Sequence, residues 1–209
     1  MAARQYNSTR REQSSLQTRG AILESAAELF AANGYAKTTI PEVARRAGVA
    51  TNTVYASVGG KAEVFLALLE RATGAQIIDE TLARIDVTDN ASEVILLTAY
   101  AYRRSFEIAG TVISVLDEAG RHDGAIARAI DDAQSLYRSR LDRIAAHLRS
   151  IGALSASVDD GTASDVLWFY FGFATWPQLR GLGWDPDRIE SWIASRAAEA
   201  LLAGGSGTS

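Results

Sequence analysis

The 209-residue sequence has no cysteine, two histidines, three prolines and one methionine. Without cysteine the chain can form neither a disulfide nor a thiolate metal site, which suits a reducing compartment. No apolar run approaches the roughly 20 residues of a membrane-spanning helix, and the polar start of the sequence does not resemble a secretory signal. We therefore expect a cytoplasmic protein that uses no metal and does not associate with a membrane.

Few residue types suited to catalysis are present. His122 and His147 are the two histidines, and the sequence contains no GxSxG, HExxH or phosphate-loop motif, so acid–base chemistry would fall to carboxylates. The adjacent pairs Asp131-Asp132 and Asp159-Asp160 would diverge on a helix instead of converging on a substrate. We expect no catalytic residue and no cofactor, and a small helical enzyme is kept only as an alternative.

The charge is unevenly distributed along the chain. Residues 1–61 hold eight Arg and Lys against four Asp and Glu, a net charge of +4, which leaves 13 basic and 21 acidic residues in the remainder, a net charge of −8. Residues 1–16 are polar and contain three arginines, which predicts either a disordered basic arm that reaches a DNA groove or a solvated tail. A basic first quarter on an acidic body suits a protein that binds nucleic acid at one end.

Apolar residues recur every three or four positions along most of the chain, whereas no stretch shows the alternation of a strand. This spacing predicts an all-α fold of about nine helices. Two of the predicted helices are long and cover residues 61–84 and 159–179. Pro177 is expected to kink or end the second of these, because proline removes a hydrogen bond and disfavours helical geometry at the preceding residue.

The stretch from Thr38 to Lys61 predicts two short helices joined by a tight turn. In the first helix one face is apolar, formed by Ile40, Val43, Ala44 and Ala47. Thr39 and Glu42 have the spacing of a capping box at its start, and Gly48 stands where a left-handed C-cap is needed. Helix, glycine turn and helix together form a helix-turn-helix.

The second helix carries short polar side chains suited to the edges of DNA bases. These are Thr51, Asn52, Thr53, Tyr55 and Ser57, while donors for flanking phosphates are available from Thr38, Thr39, Tyr55 and Lys61. Asparagine can bind adenine with two hydrogen bonds, and a threonine methyl can contact thymine. The alternative is that Thr51 or Asn52 merely caps a helix running from Thr53 to Ser57.

Residues 18–69 resemble the N-terminal domain of the TetR family of transcriptional regulators. The matching segment reads TTIPEVARRAGVATNTVYASVGGK and agrees with the family pattern at Thr39, Val43, Ala44, Ala47, Gly48, Val49, Thr53, Val54, Tyr55 and Lys61. The sequence departs from the pattern at Val58, where an aromatic residue is common, and at Gly59-Gly60, where a less flexible pair is usual. We expect these glycines to form a flexible joint between DNA binding and effector sensing.

The resemblance implies a domain plan and a dimer. It implies a helix-turn-helix DNA-binding domain over residues 17–60 and a helical ligand-binding and dimerisation domain over 61–203, between the arm at 1–16 and a flexible tail at 204–209. The last two helices of such a domain pair with those of a second subunit. The interface candidates on them are Gly172, Trp176, Ile189, Trp192, Ile193 and Arg196.

Aromatic side chains in the second domain supply material for an apolar effector pocket. The candidates are Tyr100, Arg103, Phe106, His147, Trp168, Phe169 and Phe173. The alternative is that most of these aromatics fill the core. Taken together, we expect a ligand-responsive repressor that binds a palindromic operator as a homodimer and is released by a small, largely apolar or aromatic effector. An architectural DNA-binding protein without an effector remains the alternative.

Overall fold

The computed structural model describes residues 2–73 and 76–203, and this part of the chain contains eleven helices and no β-sheet. The helices are α1 (Ala2–Lys37), α2 (Ile40–Ala47), α3 (Thr51–Ser57), α4 (Lys61–Thr73), α5 (Gln76–Ile85), α6 (Ala91–Ile113), α7 (Leu116–His122), α8 (Gly124–Ser150), α9 (Asp160–Phe171), α10 (Thr175–Gly181) and α11 (Pro186–Leu201). The all-α prediction is confirmed. The predicted tail at 204–209 lies outside the described residues.

The chain divides into two compact units. The first contains Met1–Ala72 and Ala109–Asp131, and the second contains Thr73–Ile108 and Asp132–Ser209. Helices α6 and α8 each contribute residues to both units. The first unit therefore extends beyond the predicted boundary at residue 60 and takes in α7, which sequence reasoning had placed in the second domain.

In the segment 61–84 the described residues lie in α4 and α5, and residues 74–75 between them lie outside the described part of the chain. In the segment 159–179 two helices, α9 and α10, are present where one was predicted. In the second case the helix ends at Gly172, whose backbone is extended with φ −76° and ψ 169°. Pro177 is not the break but lies in the first turn of α10, where its missing N–H has no helical partner to lose.

The expectation of a disordered arm is wrong for residues 2–16, because α1 begins at Ala2. Alanine, arginine, glutamine and glutamate are good helix formers, and extending a helix that is already anchored costs far less than nucleating one. The polar composition is therefore compatible with a helix. Residues 13–17 are all exposed to solvent.

The core of the first unit is formed by α1 and α4 together with the two helices of the helix-turn-helix, α2 and α3. Its fully buried side chains include Ile22 and Ala26 of α1, Val43 of α2, Val54 of α3 and Phe65 of α4. Three aromatic rings lie at its centre, Phe30, Tyr35 and Phe65, with centroids 5.4–5.8 Å apart. Burial of such apolar area supplies most of the stability of a small domain, and here it anchors α2 and α3 to α1.

The second unit has its own core, in which Tyr102 of α6 fastens the junction between α9 and α10. Its hydroxyl donates to the carbonyl of Gly172 at 2.7 Å and accepts from the N–H of Trp176 at 3.0 Å. Helix α11 packs against α9 through the fully buried Ile189 and Ile193. None of the described helices is long and apolar enough to cross a lipid bilayer.

Candidate nucleic-acid interface and effector site

Both ends of α2 are fixed by the residues that the sequence singled out. The Thr39 hydroxyl accepts a hydrogen bond from the N–H of Glu42 at 3.4 Å, and the Glu42 carboxylate accepts one from the N–H of Thr39 at 2.9 Å. Hydrogen bonds from the hydroxyl and backbone of Thr39 lower the pKa of Glu42. Gly48, with φ +69°, ends the helix. The predicted capping box and C-cap are confirmed.

The second helix begins earlier than predicted and is capped differently. Helix α3 runs from Thr51, its N-cap is Ala50, and no side chain makes a capping hydrogen bond. The suggestion that Thr51 or Asn52 caps the helix is therefore wrong. Because Asn52 is exposed and has no capping role, its amide is available for a base edge.

Helix α3 is held to the domain on one side and is polar on the other. Val54 is completely buried, and Arg19 of α1 donates to the carbonyl of Ser57 at 2.8 Å, which satisfies a carbonyl at the helix C-terminus. Tyr55 is 54% exposed. At 100° per residue, Asn52 lies opposite Val54, so the polar face points away from the core.

Two of the predicted phosphate contacts are engaged inside the domain instead. Thr38 is 1% exposed, and its hydroxyl bonds to the carbonyls of Leu29 and Gly34. The Lys61 ammonium donates to the carbonyls of Tyr35, Ala36 and Thr38 at 2.8–3.1 Å and lies 4.4 Å from the centroid of the Tyr35 ring. These bonds close the end of α1. They leave Thr39 and Tyr55 as the exposed members of the predicted phosphate set.

Exposed basic residues beside the motif were missing from the predicted site. Lys37 and Arg45 are both exposed, and Arg45 makes no salt bridge within the described part of the chain. Arg46 differs, because it pairs with Glu28 of α1. The sequence showed that Arg45 faces outward, but its proximity to the turn between α2 and α3 was not used. A cation there is suited to a DNA phosphate.

The predicted pocket residues are not brought together. Phe106 stacks on Trp176 with centroids 5.4 Å apart, and Phe169 is 71% exposed. Arg103 binds Glu107, Asp187 and Glu190, which raise its pKa. These residues occupy core, surface and ion-pair positions.

Of the remaining four predicted pocket residues, two contact each other: the rings of Trp168 and Phe173 have centroids 6.0 Å apart, and both pack on Tyr137. Tyr100 is 39% exposed, and His147 hydrogen-bonds to the carbonyl of Thr88 at 2.9 Å.

A cavity lies elsewhere in the second unit, among α5, α6 and α8. Its volume is about 30 Å³, and none of the seven predicted residues lines it. The lining residues are Ile78, Thr81, Leu82, Ile85, Thr98, Ala101, Tyr102, Ser105, Tyr137, Arg140, Leu141 and Ile144. The sequence does not indicate this cavity, because its wall forms only when α8 packs against α5 and α6.

Four of the predicted interface residues are buried within a single chain and present little surface to a second one. These are Gly172, Trp176, Ile189 and Ile193. Trp192 is 38% exposed, and Arg196 is half-buried with hydrogen bonds to Ser195 and Glu199. Ile189 and Ile193 therefore lie at the centre of the buried face of α11, and Trp192 lies at its edge, partly exposed to solvent.

A capped helix, a glycine turn and a second helix with an exposed polar face define a DNA-binding helix-turn-helix domain. Residues 22–68 match the family model of the bacterial regulatory proteins of the tetR family. The helix-turn-helix domain is thus of the kind found in the TetR family of transcriptional regulators.

Similarity to known proteins extends beyond the DNA-binding domain. Over 152 residues the chain is 28% identical to the HTH-type transcriptional regulator SrpR of Pseudomonas putida, which covers 72% of this chain and 70% of SrpR.

Two solved structures share the fold. SmeT, the repressor of the Stenotrophomonas maltophilia multidrug efflux pump SmeDEF, matches in its complex with triclosan with a TM-score of 0.69 and 20% identity over 90% of this chain and 93% of SmeT. The ketosteroid transcriptional regulator KstR2 of Mycobacterium tuberculosis matches with a TM-score of 0.69 and 18% identity over 88% of this chain and 95% of KstR2.

Proposed function

We propose that the protein is a dimeric cytoplasmic repressor that binds a palindromic operator and is released by a small, largely apolar effector. The observation that carries the DNA-binding part is the exposed polar face of α3, in which Asn52 lies opposite the buried Val54 and Tyr55 is 54% exposed. Such a helix fits the major groove, where hydrogen bonds and methyl contacts distinguish base pairs.

Each exposed group on this side of the domain has a chemical role in that complex. Asn52, with Thr51, Thr53 and Ser57 beside it, would meet base edges, while the hydroxyls of Thr39 and Tyr55 would bind phosphates. Arg45 adds a charge that a phosphate would neutralise. In this proposal Lys61 orients the domain by closing the end of α1 and does not touch DNA.

The dimer is supported by a row of partly exposed aromatic rings on the second unit. Phe169, Tyr170, Trp192 and Trp184 follow one another with centroid separations of 5.1, 6.3 and 5.6 Å. An exposed aromatic surface of this kind is typical of the buried centre of an interface. A twofold dimer would place two α3 helices about 34–36 Å apart, in successive major grooves.

The effector is supported by the cavity among α5, α6 and α8. The surface that lines it is mostly apolar, which suits an apolar compound. At about 30 Å³ the cavity holds little more than a water molecule or two, so an effector has to widen it. Binding would therefore favour a different conformation of the second unit, which is the requirement for coupling ligand binding to DNA release.

The test is a mobility-shift measurement with the DNA upstream of the protein's own gene, at two salt concentrations. Tyr55→Ala should weaken binding, whereas Tyr100→Ala, which truncates an exposed tyrosine of the second unit, should not. Binding that is salt-sensitive and sequence-selective supports the repressor. Binding without sequence preference would favour the architectural alternative, and no binding at all would overturn both.

A further inference from the structure

The cavity in the second unit has an unusual distribution of hydrogen-bond donors. Its wall contains five hydroxyl groups, and each donates its proton to a backbone carbonyl at 2.7–2.8 Å. The donors are Thr81, Thr98, Tyr102, Ser105 and Tyr137. A hydroxyl has one proton, so the oxygens of these groups remain only as acceptors while the bonds persist.

The two tyrosines are held in these bonds more firmly than the shorter side chains. Burial raises the pKa of Tyr102 and of Tyr137, so both phenols stay neutral. Tyr102 is further fixed by accepting the N–H of Trp176 at 3.0 Å. Either phenol can therefore donate a hydrogen bond to a ligand only by giving up its bond to the backbone of the α9–α10 junction.

Among the described residues that line the cavity, Arg140 is the one that carries a positive charge. Its side chain is 17% exposed, and it forms an ion pair with Asp79, 3.7 Å away, whose side chain is 73% exposed. The guanidinium is thus turned inward while its partner stands mainly in water. A planar guanidinium matches a carboxylate with two parallel hydrogen bonds, and this match is strongest where water is excluded.

We propose that the cavity binds an amphipathic monocarboxylate, an aliphatic or aromatic body carrying one carboxylate, with Arg140 holding the anion. The body would lie among Ile78, Leu82 and Leu141, and the carboxylate would exchange with Asp79 for the guanidinium. This assignment depends on the proposed function in one respect, that the cavity is the effector site. It adds that the effector carries a carboxylate, which the apolar lining alone does not indicate.

The experiment compares three eight-carbon probes on the full-length protein without DNA: octanoate, octanol and octylamine. Dissociation constants come from isothermal titration, with thermal shift as a second reading. Octanoate should bind about tenfold or more tightly than octanol, since a hydrogen bond to a charged group accounts for roughly that factor. Octylamine should bind most weakly. Equal affinities for octanoate and octanol would overturn the proposal.

Substitutions test whether Arg140 is the residue that binds the carboxylate. Arg140→Gln should remove the preference for octanoate over octanol, while Arg143→Gln, which lies on the same helix and pairs with Asp86 outside the cavity wall, should retain it. Asp79→Asn should tighten octanoate, because it removes the competing carboxylate, and this variant keeps the proposal testable if Arg140→Gln fails to fold. A preference that survives in folded Arg140→Gln would contradict the assignment.

A mobility shift with each probe separates this inference from the proposed function. Octanoate that binds through Arg140 and leaves the protein on DNA supports the ligand class and contradicts effector release. Release by octanol, independent of Arg140, supports the repressor and overturns the ligand class.

Discussion

Glu118 of α7 accepts a hydrogen bond from the backbone N–H of Ala36 at 2.9 Å, and a second from that of Tyr35 at 3.1 Å. The same turn is bound on its carbonyls by the ammonium of Lys61. An acidic and a basic side chain from different helices therefore fix the turn between α1 and α2. The orientation of the helix-turn-helix on the first unit depends on this pair.

The contribution of Glu118 should depend on pH. Hydrogen bonds from Ala36 and then Tyr35 lower its pKa from the ordinary value of 4.5. A lowered carboxyl pKa gives stability that is present above the unfolded-state pKa and is lost as the pH falls through the folded-state value. Glu118→Gln should therefore reduce the unfolding free energy at pH 7, with the difference from wild type shrinking below about pH 4.5.

Urea denaturation at a series of pH values measures this difference. Asp117→Asn changes an exposed neighbouring acid and should leave the pH profile close to that of wild type. A Glu118→Gln protein whose difference from wild type does not vary with pH would show that the carboxylate is not bound as described.

Lys61→Met tests whether this lysine orients the domain or binds phosphate. The variant removes three hydrogen bonds to backbone carbonyls and should lower the unfolding free energy by about 1–3 kcal/mol. The dependence of operator affinity on salt should be unchanged, whereas a lost phosphate contact would reduce its logarithmic slope by about 0.9. Lys37→Met, at an exposed lysine, controls for loss of charge in the stability measurement.

The pair Gly59-Gly60 was expected to be a flexible joint, but the two glycines are not equivalent. Gly59 has φ +118°, and an added Cβ would lie 2.8 Å from the Cβ of Glu63. At Gly60 the nearest atom is the flexible end of the Glu63 side chain, 3.0 Å away. Gly59→Ala should destabilise the protein by roughly 1–3 kcal/mol, and Gly60→Ala should change stability little.

Thermal unfolding of both variants, read together with induction, decides between the two roles. If flexibility is the function of the pair, Gly60→Ala should also impair induction while DNA affinity persists. If only Gly59→Ala has an effect, and that effect is a loss of stability, the pair serves to permit the backbone conformation at this turn and not to provide flexibility.

Local signals in the sequence were sufficient for much of the fold around the DNA-binding face. The caps of α2 depend on Thr39, Glu42 and Gly48, which lie within nine residues of one another, and they form as predicted. Lys61 was predicted to bind a phosphate, but its ammonium donates to backbone carbonyls 23–26 residues earlier in the chain. Such a contact depends on how α4 packs, which periodicity does not report.

The second unit shows the same limit more strongly. Ile189 and Trp192 are three residues apart and lie on the same side of α11, so helical spacing does not indicate that one is fully buried and the other 38% exposed. The aromatic residues after 165 gave no indication that Tyr102, far earlier in the chain, would bind the backbone at Gly172. The cavity was missed for this reason, because its wall is assembled from three helices by packing.

Asn52→Ala should relax base preference at one operator position in each half-site, by about 1–3 kcal/mol. The physical reason is that Asn52 is exposed on α3 and has no capping role there. Binding to a library of operators with single base changes measures the effect. Ser57→Ala, at the edge of the same face, should change preference less, and an unaltered preference in Asn52→Ala would remove this residue from base recognition.

Arg45 and Arg46 offer a matched pair for the electrostatic part of DNA binding. Arg45→Ala should lower the logarithmic salt slope by about 0.9, because one phosphate contact is lost, and should weaken all DNA sequences alike. Arg46→Ala should alter the slope less, since its charge is already paired with Glu28. Equal slopes for wild type and Arg45→Ala would place Arg45 outside the interface.

The aromatic row of Phe169, Tyr170, Trp184 and Trp192 predicts how the proposed dimer can be broken without unfolding the chain. Trp192 is 38% exposed while its neighbour Ile193 is fully buried, so Trp192→Glu places a charge on the outer face and leaves the core intact. A buried unpaired charge is costly in an interface but not in water. Light scattering should then show a monomer with little change in helix content.

Leu96→Glu, at a leucine of α6 that is 59% exposed, provides the control and should remain dimeric. Operator affinity of the Trp192→Glu monomer should fall steeply for a two-half-site operator and little for one half-site, because only the dimer gains from binding both. If the Trp192→Glu protein stays dimeric, the interface lies on another surface. In an interface centred on residue 192, the glutamates of both subunits would lose their hydration.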